Sequence, residues 1–359
     1  MLGHGLVKVL LFGATGAVGR SCLDVLTQAG EASVVLAGRD EARLREVATA
    51  TRGDISIARL DLTDLSVVPG CDVVINCAGP SHRLSASVAG TAIAAGLPYI
   101  DPGGDQALLD HLTAAKPAVP VVLQAGVQPG LSGLLLRELA ADLAGDCDDV
   151  TAWCGGLQRL TPASVLEYLA SLQDGCSHPG AELRGGRIHR VDRADRKMPP
   201  GQYFSDSVTV HPHLDAETVS VAAHLGIGNV LWMNVFDGMH TTRAMQGLAL
   251  DGGQIRDADL INVSAAAKLD MFGRRPYFAI VGVAGARTVA FTCPDSYRVT
   301  GATAAYAARL VAGMPAGVLP FWRVDEPRRV LDFVTEMVPE AAVAYADHPV
   351  SPMIEEGAL

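Results

Sequence analysis

The chain has 359 residues and a mass of 37.4 kDa, room for one large domain or two medium ones. With 49% hydrophobic residues and a mean hydropathy of +0.25 it can bury a sizeable core. A net charge of −11 argues against a nucleic-acid partner, and no apolar run reaches the roughly 18 residues of a membrane span. Seven scattered cysteines (22, 71, 77, 147, 154, 176 and 293) show neither disulfide nor metal-ligand spacing, so no metal site is expected. Met1-Leu2-Gly3-His4 runs straight into the first predicted strand, and the expectation is a cytoplasmic protein.

Residues 7–12 form an apolar strand pattern that breaks into Gly13, Gly16 and Gly19, then resumes as a helix over 20–29. Val34 to Ala37 predicts a second strand, and Asp40 to Ala50 a charged helix carrying Leu44 and Val47. Ile55 to Leu60 alternates as a strand, Cys71 to Cys77 is another, and Ser85 to Ala95 is an alanine-rich helix. Pro98 to Ile100 and Val119 to Leu123 add strands on either side of a helix over 106–115. Strands and helices that alternate in this way, with the strands continuously apolar, predict a parallel sheet covered on both faces. The fold class expected is α/β: a doubly wound Rossmann domain over 1–130.

Leu131 to Leu143 reads as an amphipathic helix leaving this domain, with a boundary near Gly145 to Asp149 and a strand from Val150 to Gly156. Thr161 caps a helix with Pro162 at its first position; that helix carries Glu167 and Tyr168. Gly185-Gly186 marks a hairpin turn, and Arg187 to Arg193 a solvated edge. His211-Pro212-His213-Leu214-Asp215 lacks the carboxylate pair a metal would need and instead approaches substrate from the second domain. Val230 to Phe236 and Tyr277 to Ala284 predict long strands, with Thr288 to Cys293 pairing back on the latter. This second domain, 131–300, is expected to carry a second, mixed or antiparallel sheet whose exposed apolar face makes a homodimer.

Ligands of doubly wound sheets bind at strand C-terminal ends. Gly13, Thr15, Gly16, Ala17, Val18 and Gly19 fall there, at a strand-to-helix turn that leaves backbone N–H groups open to a pyrophosphate. Gly38 and Arg39 end the second strand where an NAD site would carry a carboxylate for the ribose diol. A guanidinium there pairs with a 2′-phosphate, which points to NADP(H); the alternative is a solvated helix-start residue followed by an Asp40 N-cap. Ala78-Gly79-Pro80 would run beside the nicotinamide, and the next loop holds His82 and Arg83, either substrate-facing or merely solvated. Asp101 is a candidate acid/base or ammonium anchor, Asp105 an N-cap, and Gly126 a second close backbone approach. Tyr168 either donates a proton to substrate or covers core at helical spacing.

These blocks, in this order, resemble the saccharopine dehydrogenase (reductase) family: Gly13 to Gly19, Leu36-Ala37-Gly38-Arg39, Val73 to Pro80, Ala94 to Asp101, Gly104-Asp105, and Ala125-Gly126 with Pro129-Gly130. The resemblance implies a nucleotide domain, an inserted α/β domain whose sheet covers the substrate, and C-terminal helices (301–359) that return to the first domain. The chain departs from the family pattern at Ser81, usually aromatic, and at Asp105, usually glutamate. Arginines for saccharopine's distal carboxylates find no match, so fold and cofactor carry over but the substrate does not. Gln124 to Gly133 is similar to the version of this block in reductases found beside nonribosomal peptide-synthetase and siderophore genes. The expected reaction is NADPH-dependent reduction of an imine to a secondary amine, the imine being carrier-bound and cyclic (a thiazoline) or derived from an amino acid. His82, Asp101 and Tyr168 are the candidate proton donors. Rival readings are C=C reduction of a carrier-bound chain, a short lysine or saccharopine-type dehydrogenase, and a noncatalytic NADP sensor.

Overall fold

In the computed structural model, residues 7–28, 30, 32–65, 69–141, 149–172, 175–192, 195–251 and 255–348 are described. The expectations for Met1 to His4, the 145–148 boundary, Cys147, Arg193 and the chain end fall outside them. β1 (Val7–Phe12) is fully buried over its last four residues, as its unbroken apolar run requires. It leads through the glycine turn into α1 (Ala17–Gln28), then β2 (Ala32–Gly38), α2 (Glu41–Ala50), β3 (Ile55–Arg59), β4 (Val73–Asn76) and α3 (Ser81–Ala94). β5 (Tyr99–Ile100), α4 (Gln106–Ala115) and β6 (Pro120–Leu123) complete this stretch. The strands pair in parallel in the order β6-β5-β4-β1-β2-β3, which is the doubly wound α/β fold the sequence predicts. Leu10, Phe12, Val35, Val74, Tyr99 and Leu123 meet α3 and α4 residues in one core cluster.

The chain then passes into α5 (Leu131–Ala140), β7 (Asp149–Leu157) and α6 (Pro162–Ser171). Next come β8 (His178–Pro179), β9 (Ala181–Arg184), β10 (Arg187–Arg190) and β11 (Val208–Leu214), then α7 (Ala216–Leu225) and β12 (Asn229–Asp237). α8 (Met239–Asp251), α9 (Asp257–Asp270), β13 (Tyr277–Ala284) and β14 (Arg287–Cys293) follow. The second sheet runs β10-β9-β12-β7-β13-β14, with β11 also on β12. It is mixed: β7 and β12 are parallel and their other neighbours antiparallel. Trp153, Val210, Met233, Ala279 and Ala290 lie in the core on one of its faces.

α10 (Ser296–Val311), β15 (Gly317–Pro320), α11 (Pro327–Met337) and β16 (Ala342–Ala346) end the described chain. β15 adds a seventh parallel strand beside β6. By contact, the described residues divide into two compact units, one within Met1–Leu131 and Tyr297–Pro339, the other within Ser132–Ser296 and Glu340–Leu359. Residues 301–359, expected as helices returning to the first domain, do so only as far as Pro339. β16 is instead an antiparallel partner of β14. A second correction concerns Ser81 to Leu84, expected as a loop: Pro80 is the N-cap of α3, and these residues are the helix's first turn. Among the described residues no helix is long and apolar enough to cross a membrane, and no cluster of metal-ligating side chains occurs.

Candidate functional site

The glycine turn of the first unit is built by β1 and α1. Gly16 N donates to Gly13 O at 2.9 Å and Arg20 N to Gly16 O at 3.0 Å, so the turn closes directly onto the helix. Gly13 has φ +78, and a side chain there would stand 2.5 Å from the Cys77 carbonyl carbon at the end of β4. Gly19 is pressed just as closely on Gly13. Gly16 differs: its added Cβ would meet only Gly13 O, at 3.3 Å, and with Thr15 it is exposed at the tip of the turn. The first turn of α1, from Ala17 and Val18 through Gly19 to Arg20, carries no acidic residue. The N–H groups ahead of Arg20, which makes the first i→i−4 bond, precede the helical hydrogen-bond ladder, and the helix dipole favours an anion there. A pyrophosphate fits this cradle.

Beyond the next strand, Gly38 is half-buried and Arg39 exposed, and Asp40 accepts from Arg43 N as the N-cap of α2. At the end of β4, Asn76 Oδ1 accepts from Ala78 N at 3.2 Å, and Cys77 N donates to Phe12 O at 3.1 Å. Ala78 and Pro80 are half-buried, Gly79 is exposed, and Gly79–Pro80 is a cis peptide, as is Gln128–Pro129. A Cβ on Gly13 would stand 2.6 Å from Ala78 N, so the start of this segment abuts the glycine turn.

Asp101, 2% exposed, is engaged on both carboxylate oxygens. Oδ2 accepts from Tyr99 OH at 2.5 Å and Asn76 Nδ2 at 3.0 Å, while Oδ1 accepts from Gly103 N at 2.8 Å. Burial raises its pKa, against the lowering effect of the nearby Ser85 hydroxyl and of the hydrogen bonds from Tyr99, Gly103 and Asn76. This network joins the ends of β4 and β5 to the loop after β5, and sequence reasoning missed Asn76 and Tyr99 as its members. Gly126 is buried, and what excludes a side chain there is the approach of Pro102 and Pro129 carbonyl oxygens. His82 is exposed in the first turn of α3. Two thiols of this unit are poor nucleophiles: the Cys77 thiol, free and lying beside that of Cys22, sits well above its usual pKa, and burial pushes Cys71 up to about 11.

Tyr168 belongs to the second unit, on α6. Its ring meets Phe236 of β12 edge-on at 5.5 Å and lies 6.4 Å from the His213 ring of β11. Burial raises its pKa while a hydrogen bond with Asn234 offsets part of that, so the hydroxyl keeps its proton at neutral pH. His211 packs edge-on to Phe236 at 5.9 Å, and burial, then the Arg196 charge, lowers its pKa. Asn234 and Phe236 were visible only as strand residues in the sequence; their side-chain partners come from α6 and β11.

Residues 9–122 match the family model described as the saccharopine dehydrogenase NADP binding domain. The first unit carries an NADP-binding domain. None of the curated proteins matches the chain. Among solved structures it resembles apo saccharopine dehydrogenase (L-Glu forming) from Saccharomyces cerevisiae, at 16% identity and a TM-score of 0.65, covering 95% of this chain and 100% of that one. It also resembles the homospermidine synthase from Legionella pneumophila in complex with NAD, at 12% identity and a TM-score of 0.60, covering 98% and 96%. The fold of the whole chain is therefore that of saccharopine dehydrogenase.

Proposed function

We propose that this protein is an NADPH-dependent oxidoreductase that reduces an imine to a secondary amine. The observation that carries its cofactor part is an open glycine cradle at the end of β1 beside the Arg39 end of β2, where Phe12 pairs with Ala37 and Asp40 is already engaged as a helix cap. NADPH bound there supplies a hydride to the imine carbon. The N–H groups around Gly16 and Ala17 hold the pyrophosphate, Gly38 and Arg39 receive the adenosine side, and Ala78-Gly79-Pro80 borders the nicotinamide. Asp101 acts as a positioning residue: with Asn76 and Tyr99 it fixes the strand ends rather than moving a proton. The proton that nitrogen needs comes with an iminium substrate or through a water on His82.

The substrate we place first is a cyclic imine such as a thiazoline, free or carrier-bound, a choice supported by the form of the Gln124 to Gly133 block. We also expect a cytoplasmic homodimer formed through the second unit, where Phe272 is 87% exposed; a monomeric mass in solution would count against the dimer. NADPH oxidation with a cyclic imine, an amino-acid-derived imine and an enoyl thioester tests the reaction. Turnover of an imine is expected, and none with any imine would sink the reading. Arg39→Ala should raise the NADPH KM by about ten-fold and leave the NADH KM nearly unchanged; equal losses would remove its phosphate role.

A further inference from the structure

The ends of β2 and β3 enclose an open depression lined by Arg39, Asp40, Glu41 and Arg59. Arg59 was not among the residues the sequence singled out, because nothing near it in the chain carries a ligand motif. Its meaning comes from register. Gly38 pairs with Arg59 across the parallel strands, and Leu60 N donates to Gly38 O at 3.0 Å. Neighbouring strands lie about 4.8 Å apart, well within the span of two arginine side chains.

The charges at this depression divide into those already used and those left over. Asp40 accepts from Arg43 N at 3.1 Å and pairs with Arg43 Nε at 3.5 Å. Glu41 pairs with Arg45 at 2.5 Å. Asp61, just past β3, accepts from both Thr63 N and Thr63 Oγ1. These Thr63 bonds, with the charge of Arg39 adding to them, hold its carboxyl below the usual range. Arg39 and Arg59 have no hydrogen-bond or ion-pair partner among the described residues. The carboxylates beside them are thus committed, and two guanidinium groups remain to meet an anion.

We propose that Arg59 and Arg39 together form the binding site for a phosphomonoester, the 2′-phosphate of the dinucleotide. This rests on the NADPH reading above. A dianion matches two guanidinium groups, each able to offer paired donors to phosphate oxygens. A bare ribose diol would want a carboxylate acceptor at this strand end, and Asp40 is spent on Arg43 and the helix cap. Arg59 is then a residue that decides between the phosphorylated and unphosphorylated cofactor.

The test is calorimetric titration of the full chain with adenosine 2′,5′-bisphosphate and with 5′-AMP, in the wild type, Arg59→Gln, Arg59→Lys and the control Arg43→Gln. Arg59→Gln should weaken bisphosphate binding by about ten-fold, or about 1.4 kcal/mol. It should leave 5′-AMP binding and the melting temperature as they are. Arg59→Lys should keep part of the affinity, and Arg43→Gln nearly all of it. Unchanged bisphosphate affinity in Arg59→Gln overturns the role of Arg59 while leaving the NADPH reading in place. A wild type that binds both nucleotides equally overturns the phosphate preference itself.

Discussion

A Cβ at Gly19 would stand 2.5 Å from the Gly13 carbonyl carbon, and one at Gly13 would be equally close to the Cys77 carbonyl carbon. At Gly16 the nearest atom is Gly13 O, at 3.3 Å, and the side exposed to solvent is the side a pyrophosphate would occupy. Gly19 is thus demanded by packing, whereas packing alone leaves room at Gly16. Gly19→Ala should cost about 1–3 kcal/mol of stability through overpacking, read as a lower melting temperature. Gly16→Ala should melt close to the wild type and lose NADPH affinity by more than about ten-fold in a fluorescence titration. Equal melting losses would show that both glycines serve only the fold. The glycine turn and the strand end before Arg39 are legible in the sequence because each follows from a local run of residues. The Asn76, Tyr99 and Asp101 network is not, because its members meet only once β4 and β5 are laid side by side.

Some elements announce themselves through caps. Thr161 Oγ1 accepts from Ser164 N at 3.1 Å and starts α6 with Pro162, and Asp105 accepts from Leu108 N to start α4, both as their sequences predict. Others are hidden by composition. α9 buries Leu260, Val263 and Ala267 yet exposes Ile261 and Leu269 at 57% and 56%, so apolar residues lie on both faces and the helical period is blurred. β16 is mostly alanine, a helix former, and pairing with β14 overrides that preference. The clasp between β12 and β13 was equally hidden. Asp237, with a fully buried side chain, accepts from Arg274, Ser205, Ser207 and Tyr277. Burial pushes its carboxyl up, but the bonds from Arg274, Ser205, Tyr277 and Ser207 outweigh burial and leave it below the usual range. The clasp therefore stabilises the fold above the ordinary aspartate pKa, and that contribution fades as pH falls through the lower native value. Asp237→Asn should cost about 2 kcal/mol near neutral pH, less than for a wholly buried pair because the Arg274 side chain is 36% exposed. Melting curves of the two proteins should converge below about pH 4; a constant gap down to pH 3 would refute the ionic part of the clasp.

On the scale of the whole chain, the first unit is assembled from two separate stretches, Met1–Leu131 and Tyr297–Pro339. Its core includes Val318 of β15 beside Val121 and Leu123 of β6. A fragment ending at residue 131 lacks that strand together with α10, and loses the bond of 2.7 Å from Thr303 Oγ1 to Ala125 O. Such a fragment should show no sharp cooperative thermal transition, and adding residues 297–339 through a short linker in place of the second unit should restore one. The sequence carries the first six strands of this sheet plainly, but the seventh belongs to a segment whose place depends on contacts made across most of the chain.

The position of β15 also sets a clock on synthesis. Roughly 190 residues separate it from β6, the strand it pairs with. At translation rates of about 5–20 residues per second, the β6 edge stays unpaired for roughly 10–40 s after it leaves the ribosome. During that interval Val121 to Leu123 offer open backbone groups to any strand that passes, the ordinary route to aggregation. A nascent chain of this protein would therefore gain most from a holding chaperone while its second unit is being made.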